Sequence, residues 1–386
     1  MGRFKRTLVA AALAAAVVAG TAGWAVSDEQ AVVTGPPAGA EAWRADHSLH
    51  RRLPDPATAA PRTVAAFFAG LTEAQSEDLA ARHALVVGNL DGAPVPLRYE
   101  ANARAIAAER AKAQARAADP GLTRDAREEA RGRADRYERL LAPGRRILAF
   151  DPRGRGQVAE VYGDLTAARH TAVIVPGSDI DLRTFDRTKD RYGTPAGMAA
   201  SLRAEMERRA PGTPTAVIAW AGYTTPVGLG LDAATGRLAQ AGAVRLERLL
   251  AGLSAAAASP AAPPPAVFCH SYGSVVCGLA APTVDRTEAA DLVALGSPGM
   301  RADSVAGLHT DARVWAAARN SSDWIGNVPN VDLFGLGHGA DPTSAEFGAR
   351  VVPTHGAHGH TGYFAPGTDS LRNFADITLG TYTSAH

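Results

Sequence analysis

From Arg146 onward the chain alternates short apolar runs with helical stretches, and this alternation limits the fold more than any other feature. The runs lie at 147–150, 158–161, 171–175, 215–220, 266–269, 292–295, 314–318 and 351–352. Most are continuous rather than alternating, as expected of strands covered on both faces. Helical patterns fall between several of them, at 197–209, 243–253 and 273–282. An α/β architecture follows, with a doubly wound, mostly parallel sheet. With 386 residues, the chain is long enough for one large α/β domain with extensions, or for two domains.

The first half reads differently. Residues 61–145 carry apolar positions at helical spacing, and a long Ala/Arg/Glu stretch breaks at Asp119-Pro120-Gly121 before resuming through Arg139. That spacing predicts a helical hairpin within an N-terminal extension. Its dense charge reads as a solvated face with i,i+4 pairs. Residues 27–60 hold Pro36, Pro37, Pro54 and Pro56 without sustained periodicity, which predicts a linker or a loosely draped arm. Residues 1–26 place Arg3, Lys5 and Arg6 before an Ala-rich apolar run at 7–26. This is the pattern of a signal peptide or a membrane anchor, so a secreted or extracytoplasmic location is expected, with a membrane tether as the second form. Lys and Arg total 40 against 39 for Asp and Glu, a balance that argues against a broad nucleic-acid surface.

The chemistry concentrates in the stretch AVFCHSYGSVVCGLAAP, at 266–282. A strand-like run passes through Cys269-His270-Ser271-Tyr272-Gly273 into a small-residue helix, the arrangement that lifts a nucleophilic serine clear of a sheet. Ser-x-Gly recurs at Ser297-Pro298-Gly299, but Leu295 fills the first small position there and Pro298 lacks the N–H that an oxyanion site needs. Ser271 is the candidate nucleophile. A serine of this kind needs a base and an orienting acid, in the chain order Ser, Asp, His. His360 is the candidate base, taken from the cluster His355, His358, His360. Asp323 is the candidate acid because it follows the run at 314–318, with Asp303 the runner-up and Asp332 and Asp341 weaker. The backbone N–H groups of Tyr272 and Ser178 are the candidate oxyanion donors, Ser178 lying in Pro176-Gly177-Ser178-Asp179 after the run at 171–175. A rival reading gives the three clustered histidines a zinc ion. It lacks a matching carboxylate or thiol cluster, so no metal and no cofactor are expected.

The two cysteines, Cys269 and Cys277, are expected to remain reduced and buried. One ends a strand and the other sits more than a turn into the following helix, a separation that at ~1.5 Å rise per residue predicts Cα atoms too far apart to bridge.

The ordered set of Gly88-Asn89-Leu90-Asp91-Gly92, Glu100-Ala101-Asn102, VPGSDID, AWAGYTTP, HSYGS, ALGSPGM, GLGHGADP and GHTGYF resembles an actinobacterial α/β-hydrolase family known as a domain of unknown function. The resemblance spans about 64–378. It implies an α/β-hydrolase fold with a helical N-terminal extension and a triad of Ser271, Asp323 and His360, and it brings no substrate. Members of that family read GHSYGS at the elbow where this chain reads CHSYGS.

These readings combine into an exported serine hydrolase acting on a carboxylic ester, with a small-molecule or lipid ester as substrate and no nucleic-acid partner. A peptidase or amidase with the same triad, and an idle hydrolase fold serving as an envelope-binding module, are the alternatives. Residues 61–141 and the Gly/Thr-rich segment 222–242 are candidates for covering the site.

Overall fold

The computed structural model describes residues 30–257, 262–333 and 335–383. The leader at 1–26 lies outside the described residues. In chain order the strands are β1 (Ile147–Asp151), β2 (Gln157–Gly163), β3 (His170–Val175), β4 (Thr215–Ala221), β5 (Ala266–His270), β6 (Asp291–Leu295), β7 (Arg313–Ala317), β8 (Asp332–Leu333), β9 (Leu336–Gly337) and β10 (Arg350–Val352). Each apolar run read from the sequence is a strand of one eight-stranded sheet, ordered β1-β2-β4-β3-β5-β6-β7-β10. The β1/β2 and β2/β4 pairs are antiparallel, and every pair from β4 to β10 is parallel. The chain has an α/β-hydrolase fold. β8 and β9 form a separate two-residue hairpin pair that the apolar pattern did not announce, because strands so short show no period.

Both faces of the sheet are covered, which is why its strands carry apolar residues on successive positions. One face packs under the helices Pro195–Arg209 and Asp369–Leu379, with Met198, Leu202, Phe268 and Phe374 in a common core. The other packs under Arg237–Ala255 and Gly273–Ala280, through Leu246, Leu250, Val275 and Val276. Local chemistry sets the helix starts: the Thr194 and Thr368 hydroxyls accept from the N–H groups of Gly197 and Leu371.

The N-terminal extension forms the helices Pro61–Ala69, Glu73–Arg82, Ala84–Gly88, Val95–Ala118 and Arg124–Leu140, the last two pairing as the expected hairpin. It does not cover the candidate site. Its helices Ala84–Gly88 and Val95–Ala118 pack on β1, the outermost strand, four strand positions and roughly 19 Å from β5 at the usual inter-strand spacing, while Pro61–Ala69 packs on Arg237–Ala255. Asn89 and Asn102 make the joint. The Asn89 amide donates to the Phe150 carbonyl and accepts from its N–H, while Asn102 donates to the carbonyls of Ile147 and Gly88. Gly88 is obligatory there, since a Cβ would stand 2.2 Å from Asn102 Oδ1. An open sheet edge exposes unpaired backbone groups, and this extension occupies it.

Over 30–60 the linker expectation gives way to a packed arm. A short helix, Ala40–Arg44, carries Trp43 fully into the core of the extension, where its indole N–H donates to the Pro54 carbonyl at 2.7 Å. Its prolines and lack of periodicity reflect an extended route over the surface, held by side chains of the body. Arg153 reaches the Pro36 carbonyl at 2.9 Å.

Candidate active site

The turn after β5 supplies the first element. Ser271 has φ of 55°, the left-handed region that a non-glycine residue enters only where its surroundings enforce it. Three contacts do so. The Ser271 N–H donates to Leu295 at the end of β6 at 2.9 Å, its carbonyl accepts from Ser274 N–H at 2.9 Å, and the Ser274 hydroxyl donates back to the Cys269 carbonyl at 2.9 Å. The small residues around it are set by clearance. A Cβ on Gly273 would lie 2.4 Å from the Val175 carbonyl oxygen, and one on Gly177 would lie 2.5 Å from Ser271 Cβ and 2.9 Å from its Oγ.

The cysteines depart from the sequence expectation. Cys269 and Cys277 form a disulfide with Cα atoms 6.3 Å apart. The expectation treated strand and helix as running on from one another; the elbow instead folds Gly273–Ala280 back beside β5, so the helical rise returns Cys277 toward Cys269. Cys269 is therefore one end of a staple across the elbow rather than a reduced thiol, and both cysteines are fully buried.

The structure brings Asp323 and His360 together. His360 Nδ1 lies 2.8 Å from Asp323 Oδ1, from loops 37 residues apart. Asp323 stands after β7 with a fully buried carboxylate that also accepts from Ile325 N–H at 3.0 Å and from the Tyr363 hydroxyl at 2.7 Å. Burial alone would raise its pKa. The hydrogen bond and charge of His360, then Tyr363 and the Ile325 N–H, outweigh that and hold the carboxyl below its ordinary range. The Tyr363 phenol is pushed up in turn, by burial and by the carboxylate it donates to.

His360 is fixed from several sides. Its carbonyl accepts from His270 Nε2 at 2.8 Å, which assigns the proton of His270 to that nitrogen. The two imidazoles lie 4.7 Å apart between centroids, and Trp324 covers His360 at 4.5 Å. A Cβ on Gly296, the residue after β6, would come 3.0 Å from His360 Cε1. Ser271 and His360 thus converge on the same corner, Ser271 through Leu295 and His360 through Gly296. His360 Nε2 is buried and has no hydrogen-bond partner among the described residues, so its bond to the Ser271 hydroxyl is not closed in this structure. Catalytic hydrogen bonds are often long before substrate binds.

The loop after β3 lies against the elbow, as the Gly177 clearance requires. Tyr223 ties it down by donating to the Pro176 carbonyl at 2.7 Å. Among the described residues neither the Ser178 nor the Tyr272 backbone N–H has a protein acceptor. The remaining sequence candidates are occupied elsewhere. Asp332 pairs with Arg301 and Asp341 with Arg319, while Asp303 is exposed. The three clustered histidines diverge: His355 faces Asp369 at 2.8 Å, His358 is exposed, and His360 faces Asp323. Sequence reasoning missed Tyr363 and His270. Both stand inside motifs it quoted, GHTGYF and HSYGS, but their partners are 40 and 90 residues away.

The segment 222–242 is shorter as a loop than its composition suggested. It contains the helical turn Leu231–Ala234 and the start of Arg237–Ala255. It does lie over the elbow: the Tyr272 hydroxyl donates to the Thr235 carbonyl at 2.7 Å, and His338 Nε2 to that of Ala233 at 2.7 Å.

Residues 151–333 match the family described as Alpha/beta hydrolase. Uncharacterized proteins from two strains of Mycobacterium tuberculosis are each 30% identical to it over 384 residues, covering 85% of this chain. The chain spans 57% of the length of each of these curated relatives. Among solved structures, a 2,6-dihydroxy-pseudo-oxynicotine hydrolase superposes with a TM-score of 0.36 at 13% identity, over 91% of this chain and 95% of that one. Thermogutta terrifontis esterase 2 gives 0.34 at 15% identity, over 63% and 97%. Superpositions this loose carry no weight for function.

Proposed function

We propose that this chain is an exported serine hydrolase that cleaves a carboxylic ester through an acyl-enzyme on Ser271. The observation that carries the reading is the Asp323–His360 pair held at the corner where the strained Ser271 elbow ends. In the first step Ser271 Oγ attacks the acyl carbon while His360 Nε2 takes its proton. The C–O bond to the alcohol then breaks, and His360 returns the proton to the leaving oxygen. Water repeats the sequence and releases the acid. Asp323 keeps the His360 proton on Nδ1 and stabilises the imidazolium without accepting a proton itself. Tyr363 and the Ile325 N–H hold Asp323 for that task. The N–H groups of Tyr272 and Ser178 are assigned to the tetrahedral oxyanion.

The disulfide supports an extracytoplasmic location, since such bonds persist in oxidising compartments, and the basic-then-apolar leader supports export. Among the described residues no helix is long and apolar enough to cross a membrane, so a tether would fall to the leader. Hydrolysis of p-nitrophenyl esters of graded acyl length, run beside an anilide series and the Ser271→Ala variant, separates the readings. Turnover of esters that Ser271→Ala abolishes supports the proposal. Preference for anilides would make it an amidase, and no turnover of either by folded protein would favour the idle fold.

A further inference from the structure

We propose that the mouth of the Ser271 site docks on a lipid bilayer, beside the point where the chain's N-terminal apolar segment enters the fold. Among the described residues eight large apolar side chains are exposed, and six of them stand on two loops at this mouth. Val227, Leu229 and Leu231 follow β4, at 50%, 58% and 57% exposure; Trp324, Val331 and Leu336 follow β7, at 41%, 45% and 45%. Scattered single exposures are ordinary on a protein surface, whereas clustering around a site marks an interaction surface. The two loops form one rim. His338 of the second donates to Ala233 of the first, and Arg301 lies against Gly236 while binding Asp332 and the Gly335 carbonyl. Trp324 carries the rim to the His360 ring.

Two observations select the bilayer as occupant. The rim segments 222–231 and 324–331 contain no charged residue, and the charges that flank them are paired with one another, Asp232 with Arg237 and Asp332 with Arg301, so the apolar side chains between them suit acyl chains. The second is where the described chain begins. Gln30 is fixed on this same rim: its N–H donates to Asp232 at 3.1 Å and its side-chain amide to the Thr225 carbonyl at 3.0 Å, while Arg155 and Arg237 bind its own oxygens at 3.0 Å each. The apolar run at 7–26 ends four residues earlier, a reach of at most about 14 Å. A leader retained in a membrane therefore holds Val227, Leu229 and Leu231 at the membrane surface. That docking stands independently of what Ser271 does; the consequence that the ester is taken from the bilayer rests on the hydrolase reading above.

The test uses the full chain in phosphatidylcholine nanodiscs with a diazirine on the lipid acyl chain. Adducts are mapped by mass spectrometry in wild type and in the Leu229→Asp/Leu231→Asp variant. The proposal expects adducts at 227–231 and 331–336 as well as 7–26, unchanged by salt. In the variant, adducts at 331–336 should fall at least fivefold while those at 7–26 persist. Adducts confined to 7–26 would overturn it, as they would if the leader or another protein covered the rim. In parallel, the variant should lose at least tenfold in hydrolysis of a bilayer-borne ester while keeping its rate on a water-dissolved one. Rim adducts without any ester hydrolysis would leave the docking standing and remove the ester reading. An equal loss on both esters would overturn the claim that the rim delivers substrate.

Discussion

His270 shows how one side chain serves position without taking part in the chemistry. Buried beside His360, its imidazole is lowered to about 3, first by desolvation and then by its neighbour's charge. It is neutral at any working pH, and its Nε2–H is committed to the His360 carbonyl. A folded pKa below the unfolded value of about 6.5 means that the unfolded chain binds the proton more tightly. The stability contributed is complete above pH 6.5 and is lost as pH falls toward 3, at roughly 1.4 kcal/mol per pH unit for one proton. His338, lowered to about 4 by burial, adds a second proton over the upper part of that window. His270→Gln keeps an N–H donor and removes the titration. Urea denaturation at pH 7 and pH 5 should show the variant losing about one proton's worth less stability than wild type; equal losses would contradict the account. Asp323→Asn should leave the fold intact and cut ester turnover on the order of 10³–10⁴-fold, because the amide imposes the wrong imidazole tautomer. Both Asp323 and His360 were legible in the sequence, each being a suitable residue just after an apolar run. Tyr363 was not, because nothing in a linear motif says which carboxylate a phenol 40 residues away will meet.

The elbow is the element on which the sequence pattern was both most and least informative. Its small residues were readable, and the structure gives their reason in the clearances at Gly177 and Gly273. Gly177→Ala would drive a methyl against Ser271 Oγ, and ester turnover should fall at least about 100-fold, the scale of a displacement near 1 Å, with little change in circular dichroism. The disulfide was misread because rise per residue was taken without the reversal of direction that the turn produces. Cys269→Ala/Cys277→Ala opens a short loop, and in chain-entropy terms should cost about 2–3 kcal/mol. The serine should keep its place through Leu295 and Ser274, so a guanidinium midpoint will shift while fluorophosphonate labelling of folded protein persists. The strands were legible for a general reason: two-sided burial leaves a continuous apolar signature, and only the two-residue strands β8 and β9 fell below what such a signature can carry.

At the scale of the whole molecule, the N-terminal extension closes one edge of the sheet and the corner that holds Ser271, Asp323 and His360 lies near the middle of it. The helical character of the extension was plain from periodicity. Its place was not, since the joint depends on two asparagine amides meeting the backbone of β1. Asn89→Ala would leave the Phe150 N–H and carbonyl without their partners, a loss of about 1–3 kcal/mol, measurable as a lowered urea midpoint. Specific activity of the remaining folded protein should be unchanged, four strand positions from Ser271. A matching loss of activity per folded molecule would mean that the extension reaches the site after all. The arm at 30–60 and the rim loops meet at Gln30, which is held by Asp232 and the Thr225 carbonyl.

We propose that Ser271 is a nucleophile activated by the Asp323–His360 pair. Intact-mass analysis of the folded chain after treatment with an alkyl fluorophosphonate, followed by peptide mapping, tests it most directly. A single adduct is expected on Ser271, absent in Ser271→Ala and slowed on the order of 10³-fold or more in His360→Ala. Folded wild-type protein that takes up no label, or label on another residue, would contradict it.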